Sequence, residues 1–341
     1  MILRSRGIAV ALATVLATSL TACGLSGAGD DAALVVYNAQ HESLTRDWAD
    51  AFTEETGIEV ELRNGSDFDL GNQLVAEGDA SGADLYLTEN SPAMSMVARE
   101  GLLAPVSEET LAQVPEEYRP STGDWVGVAA RSTVFVYNPD AVAEAELPES
   151  FADLAEPRWQ GRWGAAPAGA DFQAIVSASL ELDGEENTRA WLESLEGPDG
   201  AFATYKGNKP ILAAVNAGEI DGGVIYHYYY FGDQAGTGES SQNVVQHYFR
   251  NEGPESFVSL SGGGVLAGAP HAEEAQRFLT FITSTKGQEI LRDSSFEYPV
   301  ASGVGANPEL VPLAELNAPD IDPAGLNGPE VSDLMISLGL A

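Results

Sequence analysis

The chain has 341 residues, 52 of them acidic and 16 basic, for a formal net charge of −36 at pH 7. So large an acidic excess excludes nucleic acid and anionic membrane surfaces as partners held by charge, and its plainer meaning is a well-solvated surface that weakly attracts cations. The length predicts two domains or two lobes rather than one small core.

Met1 to Cys23 reads as a secretory signal. Arg4 and Arg6 form a charged start, and Gly7 to Leu20 is apolar but too short to cross a bilayer. It closes on Leu20-Thr21-Ala22-Cys23, which resembles a bacterial lipobox, and Cys23 is the only cysteine in the chain. The expected boundaries are residues 1–22 for the signal, lipidation at Cys23 and a small, acidic tether over 23–33. With Cys23 consumed by lipid, any metal site must use oxygen and nitrogen donors.

Folded structure is expected from Leu34. Leu34 to Tyr37 is an apolar strand, and Leu44, Trp48, Ala51 and Phe52 recur at helical spacing until Gly57. Ile58, Val60 and Leu62 alternate as a second strand. A helix over Leu70 to Glu77, a strand over Ala83 to Leu87 and a helix opened by Ser91-Pro92 follow. This βαβαβα order predicts a parallel, doubly wound sheet whose ligands bind beyond the carboxyl ends of the strands. His41 and Glu89 lie at that rim, after the first and third strands. Each alone would be an ordinary solvated loop residue.

Trp125 to Tyr137 shows two apolar runs separated by Arg131-Ser132, read as strands crossing between lobes. From Pro148 the pattern is helical and loop-rich: Phe151 to Leu154, Trp159 to Trp163, Phe172 to Leu180, Thr188 to Leu195 and Pro210 to Ala217. Asp221-Gly222-Gly223-Val224-Ile225 then runs into Tyr226-His227-Tyr228-Tyr229-Tyr230. Two readings stand. In an aromatic strand, successive phenols point to opposite faces and nothing functional follows. In a turn or helix start just after Ile225, neighbouring phenols converge and offer hard anionic oxygens to a hard trivalent cation.

Ser261-Gly262-Gly263-Gly264-Val265-Leu266-Ala267 is a loose Gly-x-Gly-x-x-Ala. It fails as a dinucleotide fingerprint because Gly268-Ala269-Pro270 would break the required helix, and Phe257 to Val265 reads as a strand returning to the first lobe. Ala272 to Ile282 and Gly287 to Leu291 are amphipathic helix, and Glu297-Tyr298-Pro299-Val300 opens an extended tail. The chain has no nucleophile elbow, zinc-type His/Cys spacing or Walker loop, so a binding protein is expected rather than an enzyme.

Together these segments resemble the ferric-iron-binding class of ABC-transporter substrate-binding proteins, over about Leu34 to Leu340. The resemblance is carried by Tyr37-Asn38-Ala39-Gln40-His41, by Ala83 to Glu89, by Gly218 to Asp221 running on to Tyr228-Tyr229, and by Gly287-Gln288 before Glu297-Tyr298-Pro299. It implies an α/β, two-lobed periplasmic-binding-protein fold of type II, with lobes joined by crossing β-strands and the ligand cleft between them. The lobes would be residues 34–131 plus 263–296 and residues 132–262 plus 297–341. Ferric iron would be the transported ligand, held by His41, Glu89, Tyr228 and Tyr229, with Tyr230 as packing.

A synergistic anion, carbonate or phosphate, would sit near Asn90, Gly169, Ala170 and Asn208. Here the chain departs from the family: Asp171 would repel a phosphate, and Tyr226-His227 replaces an amide pair. The implied partners are a permease and its ATPase, for a lipid-anchored monomer outside the cytoplasm. Glu89 and two phenolates would neutralise a trivalent ion in a poorly solvated cleft. The competing reading is an organic solute, such as a polyamine, a thiamine-like cation or a sugar phosphate, stacked on Tyr226 to Tyr230.

Overall fold

The computed structural model describes residues 33–195 and 202–340. The signal-like segment, Cys23 and all of the tether but Ala33 lie outside them. No helix among the described residues is long and apolar enough to cross a membrane.

The first half alternates as its hydrophobic periodicity predicts: β1 (Leu34–Asn38), α1 (Glu42–Thr56), β2 (Val60–Asn64), α2 (Asp67–Glu77), β3 (Leu85–Leu87) and α3 (Ser91–Arg99). α1 buries Leu44, Trp48 and Phe52 on one face. It stops at Gly57, whose left-handed φ of 74° lets its N–H close on the Thr53 carbonyl. Ser66 caps α2 by accepting from the Asp69 N–H. Next come α4 (Glu108–Gln113) and β4 (Val126–Tyr137), then α5 (Phe151–Leu154), β5 (Trp163–Ala165), α6 (Ala170–Ser194) and β6 (Ala203–Thr204). α7 (Asn208–Ala217), β7 (Gly222–Tyr226), α8 (Tyr228–Ala235) and β8 (Val245–His247) lead to β9 (Val258–Val265), α9 (Ala272–Thr283), α10 (Thr285–Ser294) and α11 (Gly328–Ser337).

The strands join in the order β2-β1-β3-β9-β4-β7-β5-β6, with β8 also on β4. β1 is parallel to β2 and β3, while β9 runs antiparallel to β3 and β4. β4 is the element that joins the halves. Its residues up to Ser132 pair with β9, and from Thr133 they pair with β7 and β8. The expected pair of crossing strands around Arg131-Ser132 is therefore one continuous, wholly buried strand of 12 residues. Arg131 and Ser132 interrupt the apolar run without interrupting the ladder: the buried carboxylate of Glu297 meets the Arg131 charge at Nη2, and Ser132 Oγ donates to the Thr133 carbonyl.

On one side of this junction a core gathers Trp48, Phe52, Phe278 and Leu291, locked by the Trp48 Nε1–H donating to the Gly287 carbonyl at 2.7 Å. On the other a second core gathers Phe135, Trp159, Trp163 and Tyr226. One further expectation is corrected. Trp159 to Trp163 does not form a helix of its own: Trp159 ends a 3₁₀ turn over Pro157–Trp159 and Trp163 begins β5, held between β7 and β6. The two helices expected near Phe172 to Leu180 and near Thr188 to Leu195 are both present, as the two segments of α6 on either side of Gly184, which is non-helical with φ 78°.

Candidate functional site

The loops after β1 and β3 and the starts of α7 and α8 meet in a cleft of about 910 Å³ lined by His41, Glu89, Asn208, Tyr228 and Tyr229. β1 and β3 are parallel neighbours, so the residues beyond their carboxyl ends come out side by side. That brings His41 Nε2 within 3.1 Å of Glu89 Oε1. Across the cleft β7 ends at Tyr226 and α8 begins at Tyr228. The backbone thus leaves the extended form one residue later than expected. Tyr228 and Tyr229 fall in the first helical turn, with ring centroids 4.3 Å apart.

Their hydroxyls enter the same cluster. Tyr228 donates to Glu89 Oε1 at 2.7 Å and Tyr229 to Asp171 Oδ2 at 3.1 Å. Of the two readings of the tyrosine run, the structure thus has the convergent one. Tyr230 packs its ring against Phe231 instead. Asn90 and Asn208 also converge, but on a carboxylate: both side-chain amides donate to Asp171, Asn90 at 3.0 Å. Gly169 caps α6 without a side-chain bond, and Ala170 is its first residue.

Several residues that matter here were not singled out for this site from the sequence. Arg131, fully buried, donates from Nη2 to Glu297 Oε2 at 2.8 Å and to Gln40 Oε1 at 3.0 Å. It lies 5.6 Å from the centre of the Tyr228 ring. Glu297, expected to open a tail, is fully buried and stands 3.1 Å from His41 Nδ1. Asp67 accepts from the main-chain N–H groups of Glu89 and Asn90 at 2.7 and 3.0 Å, which fixes the loop that carries Glu89. The available signal was an arginine inside an apolar run, because a charge buried in a strand requires an acidic partner elsewhere.

The electrostatics leave the metal-free site holding protons. Burial opposes a charge on His41, but the hydrogen bonds to Glu297 and Glu89 outweigh it and hold the imidazolium up to about 10. Burial opposes the Glu89 carboxylate as well, yet the His41 hydrogen bond and the Arg131 charge bring it down to about 2. Burial and the charge of Glu89 push Asp171 up to about 7. Burial, followed by the charges of Asp171 and Glu89, pushes the phenols of Tyr228 and Tyr229 well above their ordinary range. Among the described residues no group of three His, Cys, Asp or Glu is placed to hold a metal; the phenol oxygens of Tyr228 and Tyr229 stand beside the carboxylates of Glu89 and Asp171. Phenolate and carboxylate together make a hard donor set, suited to a hard, highly charged cation.

The chain matches the bacterial extracellular solute-binding protein family over residues 80–324. It is 54% identical to the Fe(3+)-binding periplasmic protein of Serratia marcescens over 96% of this chain and 97% of that one. It is 33% identical to the major ferric iron-binding protein of Neisseria meningitidis serogroup B over 84% and 87%. Among solved structures, iron-bound HitA from Pseudomonas aeruginosa superposes with a TM-score of 0.84 at 38% identity, covering 90% of this chain and 99% of that one.

Proposed function

Because the chain belongs to the bacterial extracellular solute-binding protein family, we propose that its cleft captures ferric iron outside the cytoplasm and delivers it to an ABC permease and its ATPase. The observation that carries this is the convergence of two adjacent phenols on Glu89 and Asp171 at the start of α8. His41, Glu89, Tyr228 and Tyr229 are the proposed donors. The lobes close on the ion about β4 and β9, with boundaries at residues 34–131 plus 263–296 and 132–262 plus 297–341. Support for that division comes from the change of partner on β4 between Ser132 and Thr133.

Asp171 is proposed as a further donor, in the place where carbonate or phosphate was expected. Asn90 and Asn208, suited to grip an exogenous anion, already donate to its carboxylate. A second anion would meet like charge there. Loading the purified domain with ferric ion in carbonate- and phosphate-free buffer tests the whole reading: one bound equivalent by metal analysis is expected. Tight binding of a polyamine, thiamine or a sugar phosphate, with no iron retained, would put the organic-solute reading in its place.

Cys23 is proposed as the lipid anchor, from the lipobox and the lack of any other thiol. Cys23→Ala should move the protein from the membrane to the soluble fraction while leaving iron binding unchanged. A variant that stays with the membrane would refute the anchor.

A further inference from the structure

Glu297 divides its carboxylate chiefly between Arg131 and His41, with Gln40 Nε2 also donating to Oε2 at 3.4 Å. Oε2 takes Arg131 Nη2 at 2.8 Å, and Oε1 faces His41 Nδ1 at 3.1 Å. A carboxylate present only to neutralise a buried arginine would accept two parallel N–H bonds from the guanidinium fork. This one does not: Arg131 Nε and Nη1 are buried with no hydrogen-bond partner among the described residues. The geometry at His41 is kept at the expense of the geometry at Arg131.

The backbone gives the same indication. Phe296, just before Glu297, has φ 57°, a left-handed conformation that a bulky side chain adopts only when its surroundings impose it. Its carbonyl is bound to His227 Nε2 at 2.9 Å. Just after Glu297, the main chain of Tyr298 exchanges both hydrogen bonds with Ala130 of β4 at 2.9 Å. Glu297 is thus fixed on the strand that joins the two halves, and turned toward His41.

His41 is tied to the same cluster through its main chain. Its N–H donates to Gln40 Oε1 at 2.7 Å, and Gln40 Nε2 donates to Ser261 Oγ of β9 at 2.8 Å. A loop residue between β1 and α1 is in this way held to β4 and β9.

We propose that Glu297 is the positioning residue of His41: by accepting the Nδ1 proton it sets the ring's rotation and tautomer, so that Nε2 is the nitrogen left for the metal. Arg131 makes the arrangement one-directional. With Nη2–H against Oε2, Glu297 must face the guanidinium with an oxygen, and its other atom decides which tautomer of His41 is stable. This rests on the reading of His41 as an iron donor.

The conservative variant Glu297→Gln tests it. Arg131 would take the single amide oxygen, leaving the NH₂ group against His41 Nδ1. That nitrogen must then accept, which places the imidazole proton on Nε2 and blocks it from the metal. The expected result is a loss of ferric affinity of about 10–100-fold and loss of the imidazole nitrogen coupling in pulsed EPR of the ferric protein. Glu297→Gln combined with His41→Ala should bind no more weakly than His41→Ala alone. If Glu297→Gln does not fold, Arg131→Met with Glu297→Leu removes the charge pair as a unit and should show the same spectroscopic loss.

Full nitrogen coupling and wild-type affinity in the folded variants, alongside weak binding by His41→Ala, would overturn the positioning role and leave His41 as a donor. Wild-type affinity and an unchanged EPR spectrum in His41→Ala would instead overturn the reading of His41, and the positioning role with it.

Discussion

Asp171 carries the largest difference between this site and what the family resemblance implied. It is a buried carboxylate that takes hydrogen bonds from Asn90, Asn208 and Tyr229. If it replaces an exogenous anion, Asp171→Asn should weaken ferric binding by more than the ~10–100-fold typical of losing an outer partner. Added carbonate should restore part of the loss. Isothermal titration with and without carbonate checks this, and an unchanged affinity in anion-free buffer would count against Asp171 as a donor. The apolar strands before His41, Glu89 and the tyrosine run made their place at the strand ends legible in the sequence, while their selection as a donor set came from the family resemblance. Arg131 and Glu297 were not legible, because their importance lies in burial and in a meeting of residues far apart in the chain.

At the scale of the element, the sheet was legible where strands are long enough to show a period. β2 announces itself in this way, and β1 by a continuous apolar run. β5, β6 and β8, with two or three residues each, went unread; β3 is as short but sits within the stretch Ala83 to Leu87 that was read as a strand. β4 misled for the opposite reason, since a buried charge in its middle looked like a boundary. The Gly222-Gly223 pair that starts β7 is explained by its neighbours: a Cβ on Gly222 would stand 2.2 Å from Phe135 Cζ and 3.0 Å from the Val136 carbonyl oxygen. Gly222→Ala should therefore cost about 1–3 kcal/mol by overpacking, read as a lower thermal midpoint of the metal-free protein. An unchanged midpoint would mean that the Phe135 ring moves aside freely.

For the whole molecule, the protonation of the cleft's own side chains makes iron capture depend on pH with a defined sign. At neutral pH Tyr228, Tyr229 and His41 hold protons, Glu89 is already ionised and Asp171 is near its midpoint. Loading must expel the protons of the donors, so about three are released and affinity falls on the order of 10³-fold for each unit of acidification near pH 7. Proton release on adding ferric ion at fixed pH measures the number, and release of less than one proton would contradict the assignment of both phenols. The central claim is that adjacent tyrosines bind the ion, and visible absorption tests it most directly, because ferric phenolates are coloured and phenols are not. Titration of the wild-type domain with ferric ion should raise a charge-transfer band that saturates at one equivalent, that weakens or shifts in Tyr228→Phe and in Tyr229→Phe, and that persists in Tyr230→Phe. A colourless complex, or full colour and affinity in both single variants, would contradict it.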